Sequence, residues 1–216
     1  MPAMKNLLRS IAKTALQQYA FPGGFFWRTN TRIGNAACLT FDDGPNPEYT
    51  PEALKLLGKH DIKAMFFVVG EKVAKHPEIA QQIVEAGHAI GGHTYTHKIF
   101  PEMTQQELSA DLIKTRDIIK QTTGQDTTLF RPPRGLFRMS HLKQTAALGY
   151  QMVHWTTTYS DYKQDGEDAL LERMQQNQPQ TRDIILLHDN NPYTLSALDK
   201  MLPVWKDRGL QFSAEL

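Results

Sequence analysis

The chain has 216 residues with 24 basic and 23 acidic side chains, a formal net charge of +1. That is long enough for one domain with a sizeable core, and it offers no field strong enough to hold nucleic acid or a polyanion. Cys38 is the sole cysteine; it excludes an intrachain disulfide and, inside an apolar run, reads as a small buried hydrophobe that suits a reducing compartment.

Residues 1–34 carry no acidic side chain, while Lys5, Arg9, Lys13, Arg28 and Arg32 are basic. Leu8, Ile11, Ala12, Ala15 and Tyr19 share one helical face, Lys5, Arg9 and Lys13 another, and Phe25-Phe26-Trp27 follow a Pro-Gly-Gly break, which predicts an amphipathic helix and an aromatic wedge. Two readings stay open: the segment covers one end of the main domain, or it rests on the anionic inner face of a membrane. The same lysines and arginine interrupt any secretory apolar core, and no run is long enough to span a bilayer, so the expected location is cytoplasmic.

Residues 35–216 form the second unit, in which short apolar runs alternate with helical periodicity. Strands are predicted at 36–41, 64–69, 89–92, 128–131, 152–155, 184–187 and 211–213. Thr50-Pro51 offers a capped first turn, and Thr104 with Glu107 matches a capping box. Gly87, Gly149 and Gly209 each stand where a helix must stop and a strand begin. The pattern predicts an α/β fold, a distorted, seven-stranded (β/α) barrel; an open doubly wound sheet is the alternative. Either puts functional side chains at the carboxyl ends of the strands.

The motifs fall at those ends. Thr40-Phe41-Asp42-Asp43-Gly44-Pro45 places two carboxylates where the chain leaves the first strand; a surface turn explains the pair equally well in isolation. His93 and His97, four apart after Gly91-Gly92, would share one face of a helical turn and ligate one ion, although such spacing also arises by chance. Phe130-Arg131-Pro132-Pro133-Arg134-Gly135 sets two cations on a stiff loop, where Arg131 can orient an aspartate or simply face solvent. Asp161, in Thr158-Tyr159-Ser160-Asp161-Tyr162, can hold His188 protonated. His188 ends the run Ile184-Ile185-Leu186-Leu187, and alternation puts Leu186 on its face, as an acetyl-methyl contact or as ordinary core. Two imidazoles and one carboxylate leave room for water on a divalent ion, most readily Zn2+, with Co2+, Ni2+ or Mn2+ also fitting. The other aspartate would act as base and His188 as acid.

Taken together, TFDDGP, HTYTH, FRPPRG, the 158–162 segment and ILLHD, in this order, resemble the polysaccharide deacetylase family, carbohydrate esterase family 4, which shares the nodulation-type chitooligosaccharide deacetylase domain. The resemblance runs from about residue 36 to the C-terminus. It implies a distorted (β/α) barrel, Asp42 as base, His188 as acid, and Asp43, His93 and His97 as metal ligands. It further implies that Arg131 tunes Asp42, Asp161 tunes His188, and the amide after Pro133 binds the oxyanion. The implied reaction is hydrolysis of an N-acetyl group on an amino-sugar-containing glycan or lipid-linked saccharide, with release of acetate. Another linear or cyclic amide, or non-catalytic glycan binding, is the rival reading. Arg134 stands where the family commonly has tyrosine or phenylalanine, Thr158 where it has aspartate and Tyr162 where it has tryptophan. Arg134 is placed to reach an anionic substrate group such as a phosphate. The sequence leaves the oligomeric state open.

Overall fold

The apolar runs assemble into one eight-stranded parallel sheet in the computed structural model of the chain, which describes residues 12, 13, 15, 24–30, 34 and 36–216. The strands are β1 (Phe25–Phe26), β2 (Cys38–Asp42), β3 (Met65–Val68), β4 (Ala89–Gly92), β5 (Leu129–Phe130), β6 (Gln151–Val153), β7 (Thr157–Thr158) and β8 (Ile184–His188). Their order is β1-β6-β5-β4-β3-β2-β8-β7.

That order forces the sheet to roll. In a flat sheet β6 and β7 would lie six strand spacings apart, about 29 Å. Only residues 154–156 join them, and four Cα steps reach at most about 15 Å. Among the described residues an antiparallel bridge, Arg28 to Asp183, ties the chain after β1 to the chain before β8. The result is a distorted, incompletely closed (β/α) barrel.

Six of the seven expected strands are present. The run at 211–213 supplies only one bridge, Phe212 to Ala37, while β1 and β7 bring the strand number to eight rather than seven. Both are two residues long, too short for alternation to register in the sequence. Phe25 and Phe26 are buried strand residues packed into the main domain. The amphipathic helix expected across residues 8–19 lies largely outside the described residues; within it Ala12, Lys13 and Ala15 are helical.

The helices are α1 (Tyr49–Lys59), α2 (Gly70–Lys75), α3 (Pro77–Glu85), α4 (Gln105–Thr123), α5 (Met139–Ala147), α6 (Glu167–Gln176) and α7 (Pro192–Asp207). α4 begins with the expected Thr104–Glu107 capping box. The Thr50 cap is corrected: Thr50 lies inside the first turn of α1, and Asn46 Oδ1 accepts from Glu48 N and Tyr49 N instead. Gly87, Gly149 and Gly209 adopt positive φ after α3, α5 and α7, the conformation that ends a helix without Cβ strain.

Alternation along β2 and β8 sorts the interior. Leu39, Phe41, Ile185 and Leu187 point outward into the main core beneath the helices, where the Phe41 and Phe66 rings stack at 5.0 Å. Cys38, Met65, Phe67, Val153 and Ile184 fill the barrel itself. Continuing up the inner face, Thr40, Asp42, Leu186 and His188 lead to the carboxyl-terminal rim.

Candidate active site

Asp42 is the last residue of β2, paired in register with Phe67 of β3 and His188 of β8. Asp43 takes φ 72°, so the chain leaves the pleat there and both carboxylates face the same cleft, although strand neighbours would otherwise diverge. His93 follows β4 directly. Gly91, two residues earlier, lets β3 and β5 close on β4, since a Cβ on it would sit 2.8 Å from the Phe67 ring and 3.0 Å from the Leu129 carbonyl.

Asp43 Oδ1 lies 3.1 Å from His97 Nε2 and 3.4 Å from His93 Nε2. The three side chains form a metal-competent group. The 93–97 segment is not a helical turn as expected from its spacing: Thr94 and His97 both have φ 60°, and the chain bends sharply to bring the rings together. Their centroids are 5.1 Å apart.

These residues suit a divalent ion. Asp43 Oδ1 is buried yet accepts no hydrogen bond, an arrangement that normally costs stability unless another electrophile occupies the position. Proximity to His93 and His97 holds the Asp43 carboxyl well below the usual range against the opposing effect of burial. His93 Nδ1 lies 2.8 Å from the Arg131 carbonyl oxygen; as the donor it leaves Nε2 free to ligate.

Two buried ion pairs flank this group. Arg131, fully buried, donates from Nη1 to Asp42 Oδ1 at 2.7 Å and to Thr40 Oγ1 at 2.7 Å, and from Nη2 to the His154 carbonyl at 3.0 Å. Its guanidinium also lies 4.2 Å above the Phe67 ring. Asp161, on the other side, sits 2.9 Å from His188 Nδ1 through Oδ1, and its Oδ2 accepts from His188 N at 2.7 Å and Thr194 Oγ1 at 3.0 Å. Burial opposes protonation of His188, but Asp161, with Asp42 and Asp43, outweighs it and raises the imidazole to about 9.

Asp42, Asp43, His93, His97, Arg134, Trp155, Thr158, Ser160, Tyr162, Leu186 and His188 line one cleft of about 590 Å³. Tyr162 is 59% exposed at the mouth, its ring edge-on to His188 at 6.2 Å. Arg134 adopts φ 58° and also lines the cleft, while Pro133 before it is buried. Asp43, Thr94, His97, Arg134 and Ser160 are all non-glycine residues at positive φ, so backbone strain gathers around the cleft, as it does at sites whose geometry the surrounding structure fixes.

Trp155 and Ser160 were not singled out from sequence as site residues. Nor was Asp189, whose fully buried carboxyl is pushed up to about 6 by desolvation, accepts from Thr50 Oγ1 and packs against Gly44. The available signal was position: each stands within a few residues of a strand's carboxyl end.

Fold and site together place three side chains that could hold a metal ion in a cleft at the carboxyl-terminal rim of a rolled parallel sheet. The family model for polysaccharide deacetylase matches residues 29–153, and the chain belongs to that family, a class of hydrolases acting on carbon–nitrogen bonds. It is 34% identical over 180 residues to a peptidoglycan-N-acetylglucosamine deacetylase of Bacillus cereus, a match covering 81% of this chain and 64% of that one, just under two thirds of its length. It is also 34% identical to the peptidoglycan-N-acetylmuramic acid deacetylase PdaA of Bacillus subtilis, covering 82% of this chain and 68% of that protein. The crystal structure of the peptidoglycan N-acetylglucosamine deacetylase Bc1960, in complex with 4-naphthalen-1-yl-N-oxidanyl-benzamide, superposes with a TM-score of 0.84 at 30% identity, covering 92% of this chain and 94% of that one.

Proposed function

We propose that this chain hydrolyses the N-acetyl group of an amino sugar within a peptidoglycan-type or lipid-linked glycan, releasing acetate and a free amine. The observation that carries the reading is the convergence of Asp42, Asp43, His93, His97 and His188 on one cleft. Similarity to deacetylases of both N-acetylglucosamine and N-acetylmuramic acid supports it.

Asp43, His93 and His97 are the residues that would hold a divalent ion, zinc being the best match to two imidazoles and one carboxylate. Such an ion supplies Lewis-acid polarisation of the acetyl carbonyl and acidifies a water. Asp42 is the general base: Arg131 takes its Oδ1, leaving Oδ2 on the His93 side, 3.8 Å from Nε2. The fixed guanidinium keeps the carboxylate oriented at every turnover. His188 is the general acid. Asp161 occupies its Nδ1, so the other ring nitrogen is left to the cleft, and a value near 9 keeps it protonated at neutral pH to supply a proton to the leaving amine. Leu186, on the same strand face, is the contact for the acetyl methyl. Pro133 precedes the amide assigned to the developing oxyanion. Tyr162 borders the sugar, and Arg134 meets an anionic substituent, phosphate or carboxylate.

The test is to assay acetate and free amine released from N-acetylglucosamine oligomers, N-acetylmuramic-acid-containing glycan, a lipid-linked N-acetylated sugar and a cyclic imide. Acetate from at least one of the sugars, abolished in Asp42→Asn, is expected. Turnover confined to the imide, or equal turnover by Asp42→Asn, would overturn the reading.

A further inference from the structure

The segments that bear the metal-competent residues are hung on four consecutive residues, 69–72, where β3 runs into α2. Val69 N donates to the Gly44 carbonyl at 2.8 Å, Gly70 N to Thr94 at 3.0 Å and Glu71 N to Tyr95 at 2.9 Å. The first amides of a helix lack intrahelical acceptors, so these donors are available to hold the bent 93–97 loop. Gly70 allows the approach: a Cβ there would lie 2.4 Å from the Tyr95 ring. One link in this set is made by a side chain. Lys72 Nζ donates to the carbonyl oxygen of Asp43 at 2.6 Å.

Asp43 is held at φ 72°, a conformation that non-glycine residues adopt only where the surrounding structure enforces it. We infer that Lys72 is a positioning residue of the metal site: its ammonium pins the Asp43 carbonyl and thereby aims the Asp43 carboxylate at His93 and His97. Thus α2 sets the spacing of the ligand group from outside it, with its first amides on the histidine loop and Lys72 on the aspartate turn. The inference rests on the reading of Asp43, His93 and His97 as metal ligands.

A positioning role and a simple charge effect predict opposite signs. An ammonium beside a cation site repels the cation, so acting as a charge alone Lys72 would weaken binding and its removal would tighten it. As a donor that fixes the carbonyl, its removal loosens binding. The experiment is titration of metal-free full-length protein with Co2+, read by visible absorption, and with competing Zn2+, together with melting of the metal-free forms. Lys72→Met is expected to bind about 10-fold more weakly, the scale of losses when a group supporting a ligand is removed, with an unchanged metal-free melting temperature. Lys72→Arg, which keeps cation and donors, is expected to stay within about 3-fold of the parent. Equal or tighter binding by Lys72→Met overturns the inference. So does an equal loss in Lys72→Arg, or a lowered metal-free melting temperature that accounts for the loss through the fold. Failure of the unsubstituted protein to take up one ion per chain would instead sink the functional reading on which the inference rests.

Discussion

Two buried ion pairs face the cleft from opposite sides and divide their roles in opposite ways. In the Arg131–Asp42 pair the cation is fully buried and the carboxylate is the member that lines the cleft. In the Asp161–His188 pair the carboxylate is fully buried, and the imidazole, 12% exposed, lines the cleft. In each pair the partner behind fixes the direction of the member that lines the cleft. The Arg131 guanidinium holds the Asp42 carboxylate by Oδ1 on one side, and on the other the buried Asp161 carboxylate favours an imidazolium at His188, suited to giving a proton. In the proposed reaction the same physical device serves a base on one wall and an acid on the other.

The largest effect should come from breaking the first pair at its reactive end. Asp42→Asn is expected to lower kcat about 1,000-fold while leaving stoichiometric metal uptake intact, measured by acetate release and metal analysis. Breaking the same pair from behind, Arg131→Met strands a carboxylate in the interior. A destabilisation of about 3–5 kcal/mol, read by denaturant unfolding, is expected.

The second pair gives a signature in pH rather than in fold. Against the effect of burial, Asp161, helped by Asp42 and Asp43, raises His188 from 6.5 to about 9, so Asp161→Asn lowers the imidazole's value. The alkaline limb of kcat/KM then moves to lower pH, with about 10-fold loss near pH 8 and little change on the acid side. Stability follows the same sign in metal-free protein. A raised histidine contributes fully below 6.5 and loses that contribution as pH rises through about 9. Melting of the parent should fall across that window, and melting of Asp161→Asn should fall less. The smallest effect lies at the rim: Arg134→Ala is expected to raise KM several-fold for glycans bearing phosphate or carboxylate and to spare neutral ones, as compared by steady-state kinetics on matched substrates.

Much of this was legible in the sequence because the reactive residues sit where apolar strand runs end: Asp42 and Asp43 after Leu39-Thr40-Phe41, His188 after Ile185-Leu186-Leu187. The five strands of three to five residues were visible for the same reason, and the two-residue β5 because it falls in the run 128–131 that ends at Arg131. β1 and β7, two residues each outside any such run, were not, and they are held by their neighbours in the sheet. The helical reading of 93–97 failed because the spacing of two histidines reports nothing about φ. Thr94 and His97 bend to positive φ where α2 captures the Thr94 and Tyr95 carbonyls. Thr50 resembles a cap but turns its hydroxyl to Asp189, 139 positions away in sequence. Lys72 reads as one more solvated lysine until the fold brings the Asp43 carbonyl beneath it.

The central claim is that Asp43, His93 and His97 hold an ion on which de-N-acetylation depends. Its most direct test is acetate release from the best N-acetylated glycan after chelation, followed by stepwise return of Zn2+ or Co2+. Loss of activity on chelation and full recovery at one ion per chain, absent in Asp43→Ala, is the expected result. Acetate release that survives complete metal removal, or that returns equally in Asp43→Ala, would contradict it.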